Sequence, residues 1–134
     1  QIEAALLPEP VSQIAIGRGA KLLVDTSVLN QTPGVLLFTQ RARSEKRDEI
    51  TALYRAYNRA VELLNDDSDS LRPAIISLGE FPPSVEQTMI IPQYQRARRP
   101  TPAELNDVTL WMRSKELLEE RPGYSAIVAE GLLP

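Results

Sequence analysis

Few residues in this chain have types and positions suited to chemistry, and Glu9 comes first among them. It stands between Pro8 and Pro10, and a residue ahead of a proline is held toward extended backbone. A carboxylate at such a strand-to-helix junction accepts hydrogen bonds from an amine-bearing ligand. The same carboxylate also suits an exposed turn, where it favours the start of the following helix. Thr26, Ser27 and Asn30 follow a predicted strand and offer hydroxyl and amide groups to a ligand, though they are equally ordinary turn formers. Thr39 and Gln40 end another predicted strand and carry the same two readings.

Other constellations lead to blander chemistry. Asp66, Asp67 and Asp69 lack the glycine and distal glutamate of a calcium-binding loop, so they read as a solvated helix junction. Arg41, Arg43, Lys46 and Arg47 form one basic cluster, and Arg96, Arg98 and Arg99 another. Either suits an acidic loop of a partner, but solvated surface explains both. Trp111 beside Met112 on a predicted helix reads as core packing. The chain has 0 Cys and 0 His, which removes thiol nucleophiles, zinc–thiolate sites, the commonest general base and the commonest transition-metal ligand. The expectation is a protein with no metal or cofactor and no enzymatic role, although Ser-Lys and two-carboxylate mechanisms need neither residue.

The elements that must position these residues follow from periodicity. Ile2–Leu7, Lys21–Asp25 and Val35–Gln40 are apolar and β-rich, which predicts three strands, with Thr32-Pro33-Gly34 turning into the last. Val11, Ile14 and Ala15 predict a short helix from Pro10 to Ile16, stopped by Gly17 and Gly19. Ile50, Leu53, Tyr54, Tyr57, Val61 and Leu64 recur at three- and four-residue steps, predicting a helix over Ser44–Asn65. A further helix is predicted over Leu71–Leu78, closed by Gly79, and a short helical stretch from Pro82 to about Met89. Ile90 to Pro100 reads as irregular or extended. Thr101-Pro102-Ala103-Glu104 is a capping box with proline at the first helical position. It opens a helix predicted to run to about Glu120, with Leu105, Val108, Met112 and Leu118 inward and Arg121-Pro122-Gly123 as the stop.

The 134 residues, 43% apolar and 25% charged, describe one ordinary globular domain. A net charge of −3 gives no field favouring nucleic acid, and no apolar run nears the roughly 20 residues that cross a bilayer. The chain opens on Gln1 and passes straight into the apolar run Ile2–Leu7, which reads as a segment of a longer protein whose signal peptide, if it has one, lies elsewhere.

Several runs together carry a family resemblance. Ala4-Ala5-Leu6-Leu7-Pro8-Glu9-Pro10 resembles the "aallpEP" segment of ABC-importer substrate-binding proteins of the nitrate/sulfonate/taurine type, which are related to NMT1/THI5-like proteins. Lys21–Asp25 is similar to that family's post-hinge strand and Pro33-Gly34-Val35-Leu36-Leu37-Phe38 to its "pgvlv" strand. Ala56-Tyr57-Asn58-Arg59-Ala60 is similar to its long helix, and Gly131-Leu132-Leu133-Pro134 to its chain end. The resemblance implies part of an α/β periplasmic-binding-protein type II lobe, with a short mixed sheet of about three strands and four or more helices. It implies a small-molecule solute and ABC permease subunits as partners, in a periplasmic or other extracytoplasmic setting. Glu9, Pro10, Thr26, Ser27 and Thr39 would then face the ligand. Two other roles keep the same broad fold: the effector-sensing domain of a transcription regulator, and an NMT1/THI5-like biosynthetic protein. Three strands against four helices also lead us to expect self-association, through apolar surface that the chain does not cover itself.

Overall fold

Helices carry the architecture of the chain. The computed structural model describes residues 2–25 and 34–133. In order these form α1 (Val11–Gly17), α2 (Gln40–Glu45), α3 (Arg47–Asp66), α4 (Ser68–Leu78), a 3-10 turn at Pro83–Val85, α5 (Pro102–Ser114) and α6 (Tyr124–Ile127). The chain is 52% helical, and no strand occurs among the described residues.

The expected α/β lobe with its mixed sheet is therefore corrected. Within the described residues, Ile2–Leu7 and Lys21–Asp25 run without regular structure, as does the stretch from Gly34 to Thr39. The predicted turn at Thr32 and Pro33 lies outside the described residues. The physical reason is that β-propensity measures fit to a pleated, half-buried surface and is not a backbone preference. These runs have the composition of strands but no such surface. Ile2 is 82% exposed, Leu6 88%, Leu23 78% and Leu37 84%.

Two compact units divide the chain. One comprises Gln1–Leu37 and Glu62–Tyr94, the other Phe38–Val61 and Gln95–Pro134. In the first, Ile76 of α4 packs with Val85 and Met89, and Ile14, Ile75, Phe81 and Ile91 close around them. Arg72 ties this cluster together. Its Nη1 donates to the carbonyls of Glu86 (3.1 Å) and Met89 (2.6 Å), and its Nε meets Asp69 at 2.7 Å. One guanidinium thus satisfies the backbone of a turn too tight to bond itself fully. Asn65 grips Tyr94 on both sides, Nδ2 donating to its carbonyl at 2.8 Å and Oδ1 accepting from its N–H at 3.0 Å.

In the second unit Ile50, Val61, Val128 and Leu132 are the buried apolar residues, with Asn58 and Thr109 the buried polar ones. Both polar residues are satisfied: Asn58 Oδ1 accepts from the Ala97 N–H at 2.7 Å, and Thr109 Oγ1 donates to Leu105 O at 2.8 Å. Tyr57 donates its hydroxyl to Gln95 O at 3.1 Å, so the irregular stretch after Ile90 is held by side chains of α3. Phe38 meets Tyr54 edge to face at 6.1 Å, and burial raises the Tyr54 phenol above its ordinary pKa.

The predicted helix Ser44–Asn65 differs in its start. Thr39 caps a separate α2, accepting from Ala42 N at 3.1 Å, and Lys46 at φ −130° breaks the chain before α3. Of the predicted stripe, Ile50 and Val61 are buried, whereas Leu53 and Tyr57 are exposed. The capping box of α5 forms with both reciprocal bonds, Glu104 N to Thr101 Oγ1 and Thr101 N to the Glu104 carboxylate. The helix stops at Ser114 instead of near Glu120, and Val108 and Trp111 face solvent, Trp111 at 57%. The expected core role of Trp111 is thereby corrected.

Candidate functional site

Glu9 sits just ahead of α1, and its carboxylate accepts from Ser12 Oγ and from Gln13 Nε2, the latter at 3.2 Å. Pro10 occupies the N-cap position of α1 and is buried, while Glu9 itself is exposed. Both bonds fall on Oε1, so the carboxylate holds the first turn of its own helix through one oxygen, and the other faces no donor of the described residues. Thr26 and Ser27 lie outside the described residues. Thr39 belongs to the other unit, where its hydroxyl is spent on capping α2. Among the expected site residues that are described, Glu9 and Pro10 are the two that share a unit.

A different set of residues converges in the second unit. Gln40, Arg43 and Ser44 of α2, Arg47 at the start of α3, and Glu130 and Leu132 near the chain end line a surface depression of about 220 Å3. The C-terminal segment is drawn there by two bonds. Arg47 Nη2 donates to Gly131 O at 2.7 Å, and Thr51 Oγ1 donates to Leu132 O at 3.3 Å. Leu132 is buried and the other five lining residues are exposed, so the depression has an apolar floor and a polar rim.

The charges in this depression do not cancel among themselves. Glu130 meets Arg99 at 3.4 Å, outside the α2–α3 rim. Arg41, the other α2 arginine, pairs with Glu45 at 2.9 Å. The Arg43 side chain makes no hydrogen bond or ion pair among the described residues, and Arg47 uses one side-chain N–H on the Gly131 carbonyl. A second depression of about 340 Å3 adjoins, lined by Arg99, Ala129, Glu130, Gly131 and Leu133. Among the described residues no cluster of His, Cys, Asp or Glu has the arrangement of a metal site, and no helix is long and apolar enough to cross a membrane.

The chain matches no protein-family model, no curated protein and no solved structure. The site is therefore read from its own residues. Sequence reasoning placed Arg43 and Arg47 in a solvated basic cluster and did not bring Glu130 or Leu132 to them. The signal was present in part. Gln40, Arg43 and Ser44 follow the i, i+3, i+4 spacing of one helix face in α2, while Arg47 opens α3 after the break at Lys46; reading Val35–Gln40 as a strand separated Gln40 from the rest.

Proposed function

We propose that this protein is a small-solute-binding component of an ABC importer, of the nitrate, sulfonate, taurine or pyrimidine-precursor class. It would act outside the cytoplasm and deliver its solute to permease subunits. The observation that carries this reading is the order of five sequence runs: Ala4–Pro10, Lys21–Asp25, Pro33–Phe38, Ala56–Ala60 and Gly131–Pro134. The reading rests on that order and not on architecture. In it Glu9 offers its second carboxylate oxygen, Oε2, to an amine-bearing solute, since Ser12 and Gln13 both bond Oε1, while Pro10 fixes the backbone beside it. Thr26 and Ser27 would supply hydroxyls.

Calorimetric titration with taurine, alkanesulfonates, nitrate and aminopyrimidines tests it. Saturable binding of one class is expected, and Glu9→Gln should weaken an amine-bearing ligand by about tenfold or more, since a charge-assisted hydrogen bond contributes about 1.5–3 kcal/mol. Absence of binding by every class, with no solute carried through purification, would remove the proposal.

A further inference from the structure

We propose that the groove between α2, the start of α3 and Arg99 is a recognition site for an extended Glu-Gly-Leu segment, and that the segment Ala129–Leu133 of a second copy of this chain exchanges there with the resident one. The resident segment has no regular secondary structure, and among the described residues its backbone bonds only to side chains. Arg47 Nη2 donates to Gly131 O at 2.7 Å, and Thr51 Oγ1 donates to Leu132 O at 3.3 Å. Leu132 is the apolar anchor at 5% exposure, and Glu130 pairs with Arg99 at 3.4 Å. Main-chain hydrogen bonds supply affinity in peptide recognition and a seated side chain supplies specificity. This segment is held by both. Gly131 sits at φ 68°, a left-handed conformation that favours glycine, and a Cβ there would lie 2.8 Å from Arg47 Nη2. The glycine is therefore part of what the groove reads.

The hold is a loose one. Leu132 alone of the five residues is buried, and the bonds from Arg47 and Arg99 are exposed. A depression of about 220 Å3 on the α2 side and another of about 340 Å3 beside Arg99 leave the groove partly filled. A segment with few buried contacts and solvent-exposed bonds opens at low cost. Once it opens, the same segment of another copy fits equally well, because the two are identical, and mutual exchange closes as a two-fold pair. The resident segment keeps the advantage of a short tether, an effective concentration on the order of millimolar, so exchange grows with protein concentration. Every residue of the groove and its guest belongs to one unit. The proposal does not rest on the importer reading, which uses Glu9 and Pro10.

The test mixes two full-length variants, each also carrying Leu23→Lys and Leu37→Lys to remove association through the exposed apolar runs. L132D keeps the groove but spoils its own segment; R47Q keeps the segment but weakens its own groove. Dye-labelled R47Q, followed by fluorescence anisotropy, should bind L132D at least tenfold more tightly than it binds a chain with both parts intact, whose resident segment competes. Gly131→Ala added to R47Q should weaken that binding. Equal binding to the two hosts, or none, with helix content of L132D kept by circular dichroism, would overturn the proposal. If L132D loses helix content, the wild type decides by NMR in the presence of millimolar Ala-Glu-Gly-Leu-Leu peptide. The Glu130–Leu133 signals should move toward those of the free peptide while the Arg47 side-chain signal stays in place. Segment signals that do not move would count against exchange just as firmly.

Discussion

Glu104 shows how a single side chain links local structure to solution behaviour. Two Arg98 nitrogens grip its carboxylate, Nη2 at 2.6 Å and Nη1 at 2.8 Å, and the Thr101 N–H adds a bond at 2.7 Å. The Arg98 guanidinium foremost, then the Thr101 backbone, bring its pKa down from 4.5 to about 2. A carboxyl with a depressed folded pKa stabilises the protein above its unfolded value. That contribution is lost as pH falls from about 4.5 toward 2. Both side chains are more than a third exposed, so water and salt screen the pair and its net effect is modest. Melting curves of Glu104→Gln should therefore lie below wild type at pH 7 and converge on it at acid pH. Parallel curves through that window would show that the pair contributes nothing. Thr101 and Glu104 were legible in the sequence because a capping box is a four-residue pattern. Arg98, six residues before Glu104, was not, since nothing local says which way the preceding irregular stretch turns.

Helix ends show where element boundaries come from. Three helices close with the same pair of bonds, and each has a residue at positive φ between its partners. After α1, Ala20 N reaches Ala15 O and Gly19 N reaches Ile16 O, with Gly19 at φ 97°. After α4, Phe81 N reaches Ile76 O and Glu80 N reaches Ser77 O, with Glu80 at φ 52°. After α5, Leu117 N reaches Met112 O and Glu116 N reaches Arg113 O, with Glu116 at φ 58°. This is the Schellman arrangement, whose left-handed position ordinarily takes glycine. Only α1 has one there. Gly79, which in sequence looks like the left-handed stop of α4, is right-handed, and its lack of a side chain serves packing: a Cβ there would lie 2.2 Å from the Phe81 ring. A left-handed L-residue costs roughly 1–2 kcal/mol, partly offset in a glycine variant by a more flexible unfolded chain. Glu116→Gly should thus stabilise by about 0.5–1 kcal/mol in urea denaturation, and Gly19→Ala should destabilise by about 1 kcal/mol. A destabilised Glu116→Gly would contradict the geometry. The early stop of α5 was invisible in sequence because Glu116 is a good helix former whose left-handed conformation is imposed by the chain around it.

At the scale of the whole molecule, the unit formed by Gln1–Leu37 and Glu62–Tyr94 leaves Ile2, Leu6, Leu22, Leu23, Val24, Val35, Leu36 and Leu37 exposed. Apolar surface of this extent drives association in water, and a second copy of the chain is the partner always present at the same concentration. Sedimentation over a tenfold concentration range should show a rising average mass, reduced by Leu23→Lys combined with Leu37→Lys. Both positions lie outside the helices, so helix content should stay unchanged. A monomer throughout would dispose of this expectation. The sequence alone determined the helical character of α3, the capping box that opens α5 and the short helix after Pro10, because each depends on residues within a few positions of one another. Tertiary structure decided whether Ile2–Leu7, Lys21–Asp25 and Val35–Gln40 became strands, since a strand exists only through a neighbour that completes its hydrogen bonds and covers its side chains. It also decided where Arg43 and Arg47 meet Glu130 and Leu132, a contact that spans more than eighty residues between Arg47 and Gly131 and that no local pattern encodes.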